Sequence, residues 1–273
     1  MPRRSRAARW GLAGLIEAVG LTKRYGTDAA ATAAVDGLYL SVPEGELFGF
    51  LGENGAGKTT TIKMLTGLIP PSSGVARIGG WDVGRDPLEA KRLVGYIPDN
   101  PFLYERLTGS EFLRFMGDLY GVPPDAARER DLLRLFELDA KAETPIGDYS
   151  RGMRQKVALA AALLHDPRAL FLDEPTVGLD PRSTRLLADV LRAVAARGTA
   201  VFLSTHVLSI ASGLCDRVGI LHKGRLVALG TPAALTDDGR RSLEEAFLSL
   251  TGGVGAEGEV ARLLGSGTGG RAG

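Results

Sequence analysis

Residues 47–60 read LFGFLGENGAGKTT, and this stretch decides the fold of the chain. Its first five residues are apolar, as expected of a buried strand, and a helical pattern begins at Thr59. The glycines between them permit backbone conformations that a side chain would block, so several N–H groups can converge on one anion at the start of the helix. Residues 52–59 also match the pattern G-x-x-x-x-G-K-[ST] of phosphate-binding loops. The stretch therefore predicts a strand, a loop that approaches a polyphosphate, and a helix.

The polar groups of such a loop have defined roles. Lys58 is expected to neutralise the β- and γ-phosphates, and Thr59 is expected to place its hydroxyl on Mg²⁺. Backbone N–H donors are expected at four positions, Gly55, Ala56, Gly57 and Thr60. The candidate nucleotide-binding loop also includes Gly52, Glu53 and Asn54. The alternative is a glycine-rich turn that happens to contain lysine, and the flanking strand and helix argue against it.

Composition excludes several classes of protein. A chain of 273 residues can bury a sizeable core in one large domain or two small ones. The formal net charge of +1 gives no strong attraction to nucleic acid or anionic lipid. The single cysteine, Cys215, excludes a disulfide framework within the chain and favours a reducing compartment. The longest apolar run, Val157 to Leu164, has about eight residues, well short of the roughly 18 that suggest a membrane span.

Strand-like and helical runs alternate along the chain, which predicts an α/β domain with a largely parallel sheet. Strands are expected at Leu47–Leu51, Leu93–Ile97, Ala169–Asp173, Ala200–Ser204 and Arg217–Leu221. Helices are expected at Thr59–Leu68, Ser110–Tyr120, Ala126–Leu138, Met153–Leu164, Arg182–Ala196 and Leu243–Leu250. The helices between residues 110 and 165 follow one another without a strand. We therefore expect a helical subdomain, at about residues 100–165, inserted in the sheet domain.

The two ends of the chain differ from its middle. Residues 1–15 carry four arginines, at positions 3, 4, 6 and 9, and we expect a flexible basic leader or a misassigned start there rather than a secretory signal. Residues 252–273 are dominated by glycine and contain no aromatic residue. Such a segment has too little apolar surface to offset the entropy of ordering, so we expect a disordered tail.

An acidic pair ends a second apolar strand, since residues 169–175 read ALFLDEP. Beside a phosphate loop, Asp173 is a candidate ligand for Mg²⁺. Glu174, next to the metal but not bound to it, can orient and deprotonate the water that attacks the γ-phosphate. The alternative is that Asp-Glu-Pro merely turns the chain out of the sheet. The lysine loop that precedes the pair favours a shared site.

A second predicted helix start exposes N–H groups at residues 149–155, YSRGMRQ, where Ser150 and Gly152 lie. Two further motifs follow, GLD at 178–180 and STH at 204–206. In this order, the set of motifs resembles the ATP-binding-cassette (ABC) ATPase family. The resemblance covers about residues 16–250 and is more specific than any single motif.

The resemblance implies a fold and an active site. The fold is that of a P-loop NTPase, with a mainly parallel core sheet, an antiparallel β subdomain and an inserted α-helical subdomain, together forming an ABC ATPase domain over residues 16–251. Tyr25 matches the aromatic residue that stacks on adenine. His206 matches the switch histidine that contacts the γ-phosphate, so the implied catalytic residues are Glu174, His206 and Lys58.

The family's dimer gives further residues a role. Its members work as head-to-tail dimers, in which the phosphate loop of one subunit faces the signature of the other across ATP. Residues 150–152, with Ser150 and Gly152, match that signature, and Asp180 matches the loop that crosses between subunits. Two anion-seeking helix starts in one chain independently favour such a dimer, either a homodimer or a heterodimer with a second ATPase subunit. The implied cofactors are ATP and Mg²⁺.

Some positions depart from the family pattern. Asp99 stands where the family usually has glutamine, so Asp99 is a weaker candidate for Mg²⁺ than Thr59 or Asp173. The signature has Tyr149 for leucine, Arg151 for glycine and Met153 for glutamine. These departures, with the ending LEEAFLSLT at 243–251, resemble the exporter branch that includes drug-resistance and sodium-extrusion subunits.

The resemblance also implies a partner, a separate transmembrane permease that would hold this chain at the cytoplasmic face of the cell membrane. Residues 96–107 are rich in proline and aromatic residues, including Phe102 and Tyr104, and suit a rigid apolar contact with such a permease. The same residues equally suit core packing for the helical insertion.

The sequence argues against two other functions. A soluble ABC ATPase that acts on ribosomes or nucleic acid usually has two cassettes or a long coiled coil, whereas only about 115 residues separate Lys58 from Asp173. The near-neutral charge also offers no nucleic-acid face, so no nucleic acid partner is expected. The other alternative is a P-loop GTPase or kinase of another lineage, and a GTPase should carry the guanine motif [NT]-K-x-D, which the sequence lacks.

Overall fold

The structure is a computed structural model that describes residues 14–26 and 32–252. The predicted basic leader and glycine-rich tail lie outside the described residues, except for residues 14, 15 and 252 at their edges. Within the described ranges, no helix is both long and apolar enough to cross a membrane.

The described residues form strands and helices in an alternating order. The strands are β1 (Ile16–Tyr25), β2 (Thr32–Val42), β3 (Leu47–Leu51), β4 (Ser73–Ile78), β5 (Trp81–Asp82), β6 (Val94–Ile97), β7 (Ala169–Asp173), β8 (Ala200–Thr205), β9 (Arg217–His222) and β10 (Arg225–Gly230). The helices are α1 (Lys58–Leu65), α2 (Pro87–Arg92), α3 (Gly109–Tyr120), α4 (Ala126–Leu135), α5 (Arg151–Leu163), α6 (Pro181–Ala196), α7 (Leu208–Leu214), α8 (Pro232–Leu235) and α9 (Leu243–Thr251).

A six-stranded sheet forms the centre of the fold, with the order β10-β9-β3-β8-β7-β6. Every pair in it is parallel except β9 with β10. All five residues of β3 are buried, as expected of a strand covered on both faces. Because parallel strands point the same way, the segments after β3, β6, β7 and β8 meet at one edge of the sheet.

A second sheet has the order β2-β1-β4-β5 and is antiparallel throughout. The predicted fold class, a mainly parallel P-loop sheet with an antiparallel β subdomain and helices, is thereby confirmed. Between β6 and β7 the described chain forms α3, α4 and α5 and no strand. The boundaries of a helical subdomain at about 100–165 stay a prediction.

The core has two parts, one on each face of the central sheet. Leu47 and Leu51 of β3 belong to the cluster that packs against α3, α5 and α6, whereas Phe48 and Phe50 belong to the cluster beneath the antiparallel sheet and α1. This division follows the alternation of side chains along a strand. On the second face, the Phe202 ring lies 5.4 Å from that of Phe48 and 5.2 Å from that of Phe50. The aromatic packing fixes β3 and β8 beside each other at the base of the site.

Some predicted helix ends are wrong by a few residues. Helix α1 ends at Leu65 rather than at Leu68, because Gly67 adopts a φ of +69° that a helix cannot contain. Helix α4 ends at Leu135 for a related reason, since Glu137 has a φ of +59°. Helix α5 begins two residues before Met153, because the Ser150 side chain caps it.

Candidate nucleotide-binding and catalytic site

The candidate phosphate loop, residues 52–57, joins buried β3 to α1, and its glycines are required by its geometry. Gly55 and Gly57 have φ values of +81° and +110°, which side chains disfavour. A Cβ on Gly57 would lie 2.2 Å from the Ala34 carbonyl oxygen. The loop thus reaches a shape that only glycine permits.

The start of α1 is open to an anion. Its N-cap is Gly57, no side chain of the described residues caps it, and its first turn contains no acidic residue. The first N–H groups of a helix have no partner within the helix and attract negative charge. Thr59, in that first turn, is exposed and Thr60 is half-buried, whereas Glu53 and Asn54 lie exposed on the preceding loop.

Lys58 extends back across the loop. Its Nζ donates hydrogen bonds to the Gly52 carbonyl at 2.7 Å and to the Glu53 carbonyl at 3.2 Å. It also lies 3.2 Å from Glu174 Oε1, and its side chain is only 6% exposed. A buried ammonium requires such partners. The loop therefore holds a positive charge beside the predicted catalytic carboxylate.

Ser204 connects the two acidic residues, and sequence reasoning assigned it no role. Strands β7 and β8 pair Asp173 with Ser204, whose Oγ donates to Asp173 Oδ1 at 2.5 Å. The same Oγ accepts a hydrogen bond from the Glu174 N–H at 3.3 Å, and the Ser204 carbonyl accepts from that N–H at 3.1 Å. The only sign in the sequence that Ser204 belongs to the site is its position two residues before His206.

The Glu174 carboxylate lies between two of the other predicted site residues. Its Oε1 is near Lys58, and its Oε2 lies 2.9 Å from His206 Nδ1 and accepts from the His206 N–H at 3.3 Å. Glu174 has a φ of +50°, a conformation that is rare outside glycine and recurs at functional sites. Glu174 Oε1 is buried and makes no aligned hydrogen bond to the described residues, so it can accept one from a further donor. The three predicted catalytic residues therefore lie together.

The donor set near the loop suits Mg²⁺. Asp173 and Thr59 offer hard oxygen atoms, and no cluster of three or more His, Cys, Asp or Glu that could hold a metal occurs in the described part of the chain. Mg²⁺ in nucleotide sites is typically bound by one or two protein oxygens, the phosphates and water rather than by a protein cage. Burial and the negative charge of Asp173 raise the pKa of neighbouring Tyr96 to about 12, so Tyr96 stays neutral.

Asp99 has a different neighbour. Its Oδ1 lies 3.5 Å from Arg151 Nη2, and both side chains are more than half exposed. An ion pair this exposed contributes little to stability. The predicted role of Asp99 at the metal stays a prediction.

The candidate signature and the loop at 178–180 contact each other. Ser150 caps α5 by accepting from the Met153 N–H at 3.3 Å. Asp180 caps α6 by accepting from the N–H and the hydroxyl of Ser183 at 2.8 and 2.9 Å, and these bonds lower the pKa of Asp180. A Cβ on Gly152 would lie 3.8 Å from both the Gly178 carbonyl oxygen and Leu179 Cδ2, so the start of α5 packs against that loop.

Tyr25 ends β1 with its ring 52% exposed. Lys23 Nζ lies 5.4 Å from the ring centroid. An exposed aromatic ring with a cation beside it suits stacking on a base. Among the hydrogen bonds and ion pairs of the described residues, none joins the phosphate loop to residues 149–155.

Comparisons with known proteins show the family of this chain. A family model described as ABC transporter matches residues 35–177. The linearmycin resistance ATP-binding protein LnrL of Bacillus subtilis is 37% identical over 81% of this chain and 70% of its own length. The daunorubicin/doxorubicin resistance ATP-binding protein DrrA of Streptomyces peucetius is 43% identical over 81% of this chain and 66% of its own length.

A solved structure gives the same result for the fold. The structure of an ATP-binding subunit of an ABC transporter is 36% identical and has a TM-score of 0.79, over 87% of this chain and 99% of that one. The chain spans about two thirds of the length of the two resistance proteins. From its fold, its loop geometry and these matches, the chain belongs to the ABC transporter family and is an ATP-binding, ATP-hydrolysing subunit of that family.

Proposed function

We propose that this chain hydrolyses ATP to drive a separate membrane permease of the export type. The observation that carries the proposal is that Glu174 contacts both Lys58, beside the phosphate loop, and His206. The two resistance proteins that it resembles favour export over import. The chain would act at the cytoplasmic face of the cell membrane, as an ATPase domain over residues 16–251 with its helical subdomain at about 100–165.

ATP binding uses the exposed groups around the loop. Tyr25 stacks on adenine, and the N–H groups of residues 55–60 surround the phosphates. Lys58 turns its ammonium from the loop carbonyls towards the β- and γ-phosphates. Thr59 and Asp173 would hold Mg²⁺, which would supply neutralising charge to those phosphates, and Asp99 is a weaker candidate for the same ion.

Hydrolysis uses Glu174 as the base. Its carboxylate accepts a proton from a water molecule while the water oxygen attacks the γ-phosphorus. The bond from that phosphorus to the oxygen bridging the β- and γ-phosphates breaks, and ADP and phosphate leave. His206 holds the Glu174 carboxylate through Oε2 and contacts the γ-phosphate. Ser204 holds the Asp173 carboxylate and the Glu174 backbone in place through its hydrogen bonds to both.

A second subunit completes the site. Ser150 and Gly152 lie at the start of α5, beside the loop that ends at Asp180, so these residues suit the ATP held by another copy in opposed orientation. The second subunit is either identical or a related ATPase. Closure on ATP and opening after hydrolysis would convert nucleotide energy into rigid-body motion.

The permease contact is assigned to residues 96–107. Phe102 is 92% exposed and Tyr104 is 58% exposed, which is unusual for aromatic side chains. Tyr104 packs edge-to-face on Phe115 of α3 with ring centroids 5.0 Å apart, so the surface is anchored to a helix. These exposures favour a docking role over the alternative of core packing.

Purification from membranes tests the proposal. The tagged chain should copurify with an integral membrane protein, and Phe102→Ser with Tyr104→Ser should release that protein while Mg²⁺-dependent ATP hydrolysis persists. Exposed Leu88→Ser, on α2, is the matched control and should leave the complex intact. Salt-sensitive binding of the chain to RNA or DNA, without a membrane partner, would contradict the proposal in favour of a soluble ATPase.

A further inference from the structure

Glu137 is held in a conformation that its residue type disfavours. It follows the end of α4 with a φ of +59°. The Leu138 N–H bonds to the Leu133 carbonyl at 2.8 Å, and the Glu137 N–H bonds to the Arg134 carbonyl at 2.9 Å. This is the Schellman ending, in which the left-handed position normally belongs to glycine. A glutamate there strains the backbone, so its side chain requires an explanation.

The Glu137 carboxylate bridges two helices. Its Oε2 accepts a hydrogen bond from Lys156 Nζ at 3.2 Å, and its Oε1 pairs with Arg182. The Lys156 hydrogen bond is the largest cause that lowers the pKa of Glu137. Lys156 is only 13% exposed, and a cation this buried requires such a partner.

The two cations lie on elements that present candidate ATP contacts. Lys156 is on α5, which begins at Ser150, and Arg182 is in the first turn of α6, which Asp180 caps. The same elements touch at their starts, where a Cβ on Gly178 would lie 2.9 Å from Arg151 Cδ. Two separate contacts, the Glu137 bridge and the approach of Gly178 to Arg151, therefore fix α5 relative to the loop at 178–180.

From this geometry we infer that Glu137 is a positioning residue for ATP hydrolysis: it locks α5 to α6, so that Ser150 and Asp180 reach the opposing subunit's nucleotide as one unit. The inference rests on the proposed function. The left-handed backbone at Glu137 opposes the stability that the bridge provides, and the pair with Arg182, whose side chain is 82% exposed, contributes little.

The strained position allows a test that separates positioning from stability. Glu137→Gly removes the partner of Lys156, which costs stability, and at the same time relieves the backbone, which restores it, so the variant should melt close to the wild-type temperature. Its ATP affinity should equal that of the wild type, since the phosphate loop is untouched. Its hydrolysis rate should fall about fivefold to tenfold. Amide exchange of residues 150–156 and 178–184 should become faster.

Asp166→Gly is the matched control. Asp166 follows the other end of α5 with a φ of +49° and pairs with Arg128 at 2.7 Å and Arg197 at 3.7 Å. This variant loses a similar bridge and a similar strain but should keep wild-type hydrolysis and wild-type exchange at residues 150–156. Adding Arg182→Ala to Glu137→Gly should cost no further activity, because Glu137→Gly has already removed the ion pair that Arg182 makes.

The outcomes are distinct from those of the proposed function. Unchanged exchange and unchanged hydrolysis in Glu137→Gly, or an equal loss in Asp166→Gly, would overturn the inference. Failure of the wild-type chain to hydrolyse ATP would refute the proposed function by itself. Even then, wild-type exchange rates in Glu137→Gly would show that no lock between α5 and α6 exists.

Discussion

Lys58 Nζ lies 3.2 Å from Glu174 Oε1, although the two residues come from different strand ends. This contact joins the group expected to bind phosphate to the group expected to activate water. It arises because β3 and β7 flank β8 in a parallel sheet, so their carboxyl ends open at the same edge. A γ-phosphate bound at Lys58 would therefore lie next to Glu174 without rearrangement of the sheet.

Glu174→Gln should separate binding from chemistry. The amide keeps the size of the side chain and the contact with His206, but it cannot accept the proton of the attacking water. Turnover should fall by about a hundredfold to ten-thousandfold, while ATP affinity stays near that of the wild type. Steady-state phosphate release and fluorescent-nucleotide titration measure the two quantities. Wild-type turnover in this variant would falsify the assignment of the base.

Lys58→Ala should have the opposite pattern, with the main loss in binding. The variant removes a buried charge that is expected to pair with the phosphates, which corresponds to about tenfold to a hundredfold weaker ATP affinity. Titration at equilibrium measures it. Lys63→Ala, an exposed position on the same helix, is the matched control and should bind normally. Equal affinities of Lys58→Ala and Lys63→Ala would remove Lys58 from the nucleotide site.

Ser204→Ala should impair catalysis through Asp173. The hydroxyl is buried and donates to Asp173 Oδ1 at 2.5 Å, so its loss leaves a buried carboxylate oxygen without that partner. We expect turnover about tenfold lower at saturating ATP and a higher Mg²⁺ concentration for half-maximal rate. Ser212→Ala, whose hydroxyl bonds only within α7, is the control. A Mg²⁺ titration that superimposes on the wild type would show that Ser204 does not support the metal site.

His165 should make stability depend on pH. It stacks on Tyr120 with ring centroids 3.7 Å apart, its Nε2 lies 3.1 Å from the Val94 carbonyl, and burial lowers its pKa below the usual value of 6.5. Below about pH 6.5 the unfolded chain therefore binds more protons at this residue, and the folded state loses stability until its own lower pKa is passed. The melting temperature should fall as the pH is lowered from about 7.5 to about 5.5, and it should fall less in the His165→Gln variant. Identical losses in both proteins would exclude His165 as the cause.

Much of the fold could be predicted from the sequence because its buried parallel strands are continuous apolar runs. β3 and β7 have the predicted bounds, whereas β10 was missed because its residues alternate between exposed and half-buried positions around an antiparallel edge. The end of α4 was misplaced because the helical pattern continues to Leu138, and nothing local signals that Glu137 adopts a glycine-like conformation. The conformational preference of glutamate alone predicts a right-handed backbone at this position.

The site was predictable where residue type and spacing determine chemistry. Lys58 and Glu174 were predicted from their motifs and His206 from the family resemblance, and the structure brings the three side chains together. The bonds of Ser204 to the acidic pair depend on the register of β7 and β8, which residue spacing does not reveal. The ion pair of Asp99 with Arg151 was not foreseen for the same reason, since it joins residues distant in the chain.

The mass of Glu174→Gln in solution tests the central claim, which is that two chains hold ATP between the phosphate loop of one and the Ser150 helix start of the other. Light scattering with Mg²⁺ and ATP should give a dimer, and ADP should give a monomer. Adding Gly152→Asp places a negative charge at the start of α5, where the added Cβ would meet no atom closer than 3.8 Å, so this double variant should bind ATP and remain a monomer. An ATP-saturated Glu174→Gln that stays monomeric, or a dimer unaffected by Gly152→Asp, would contradict the account.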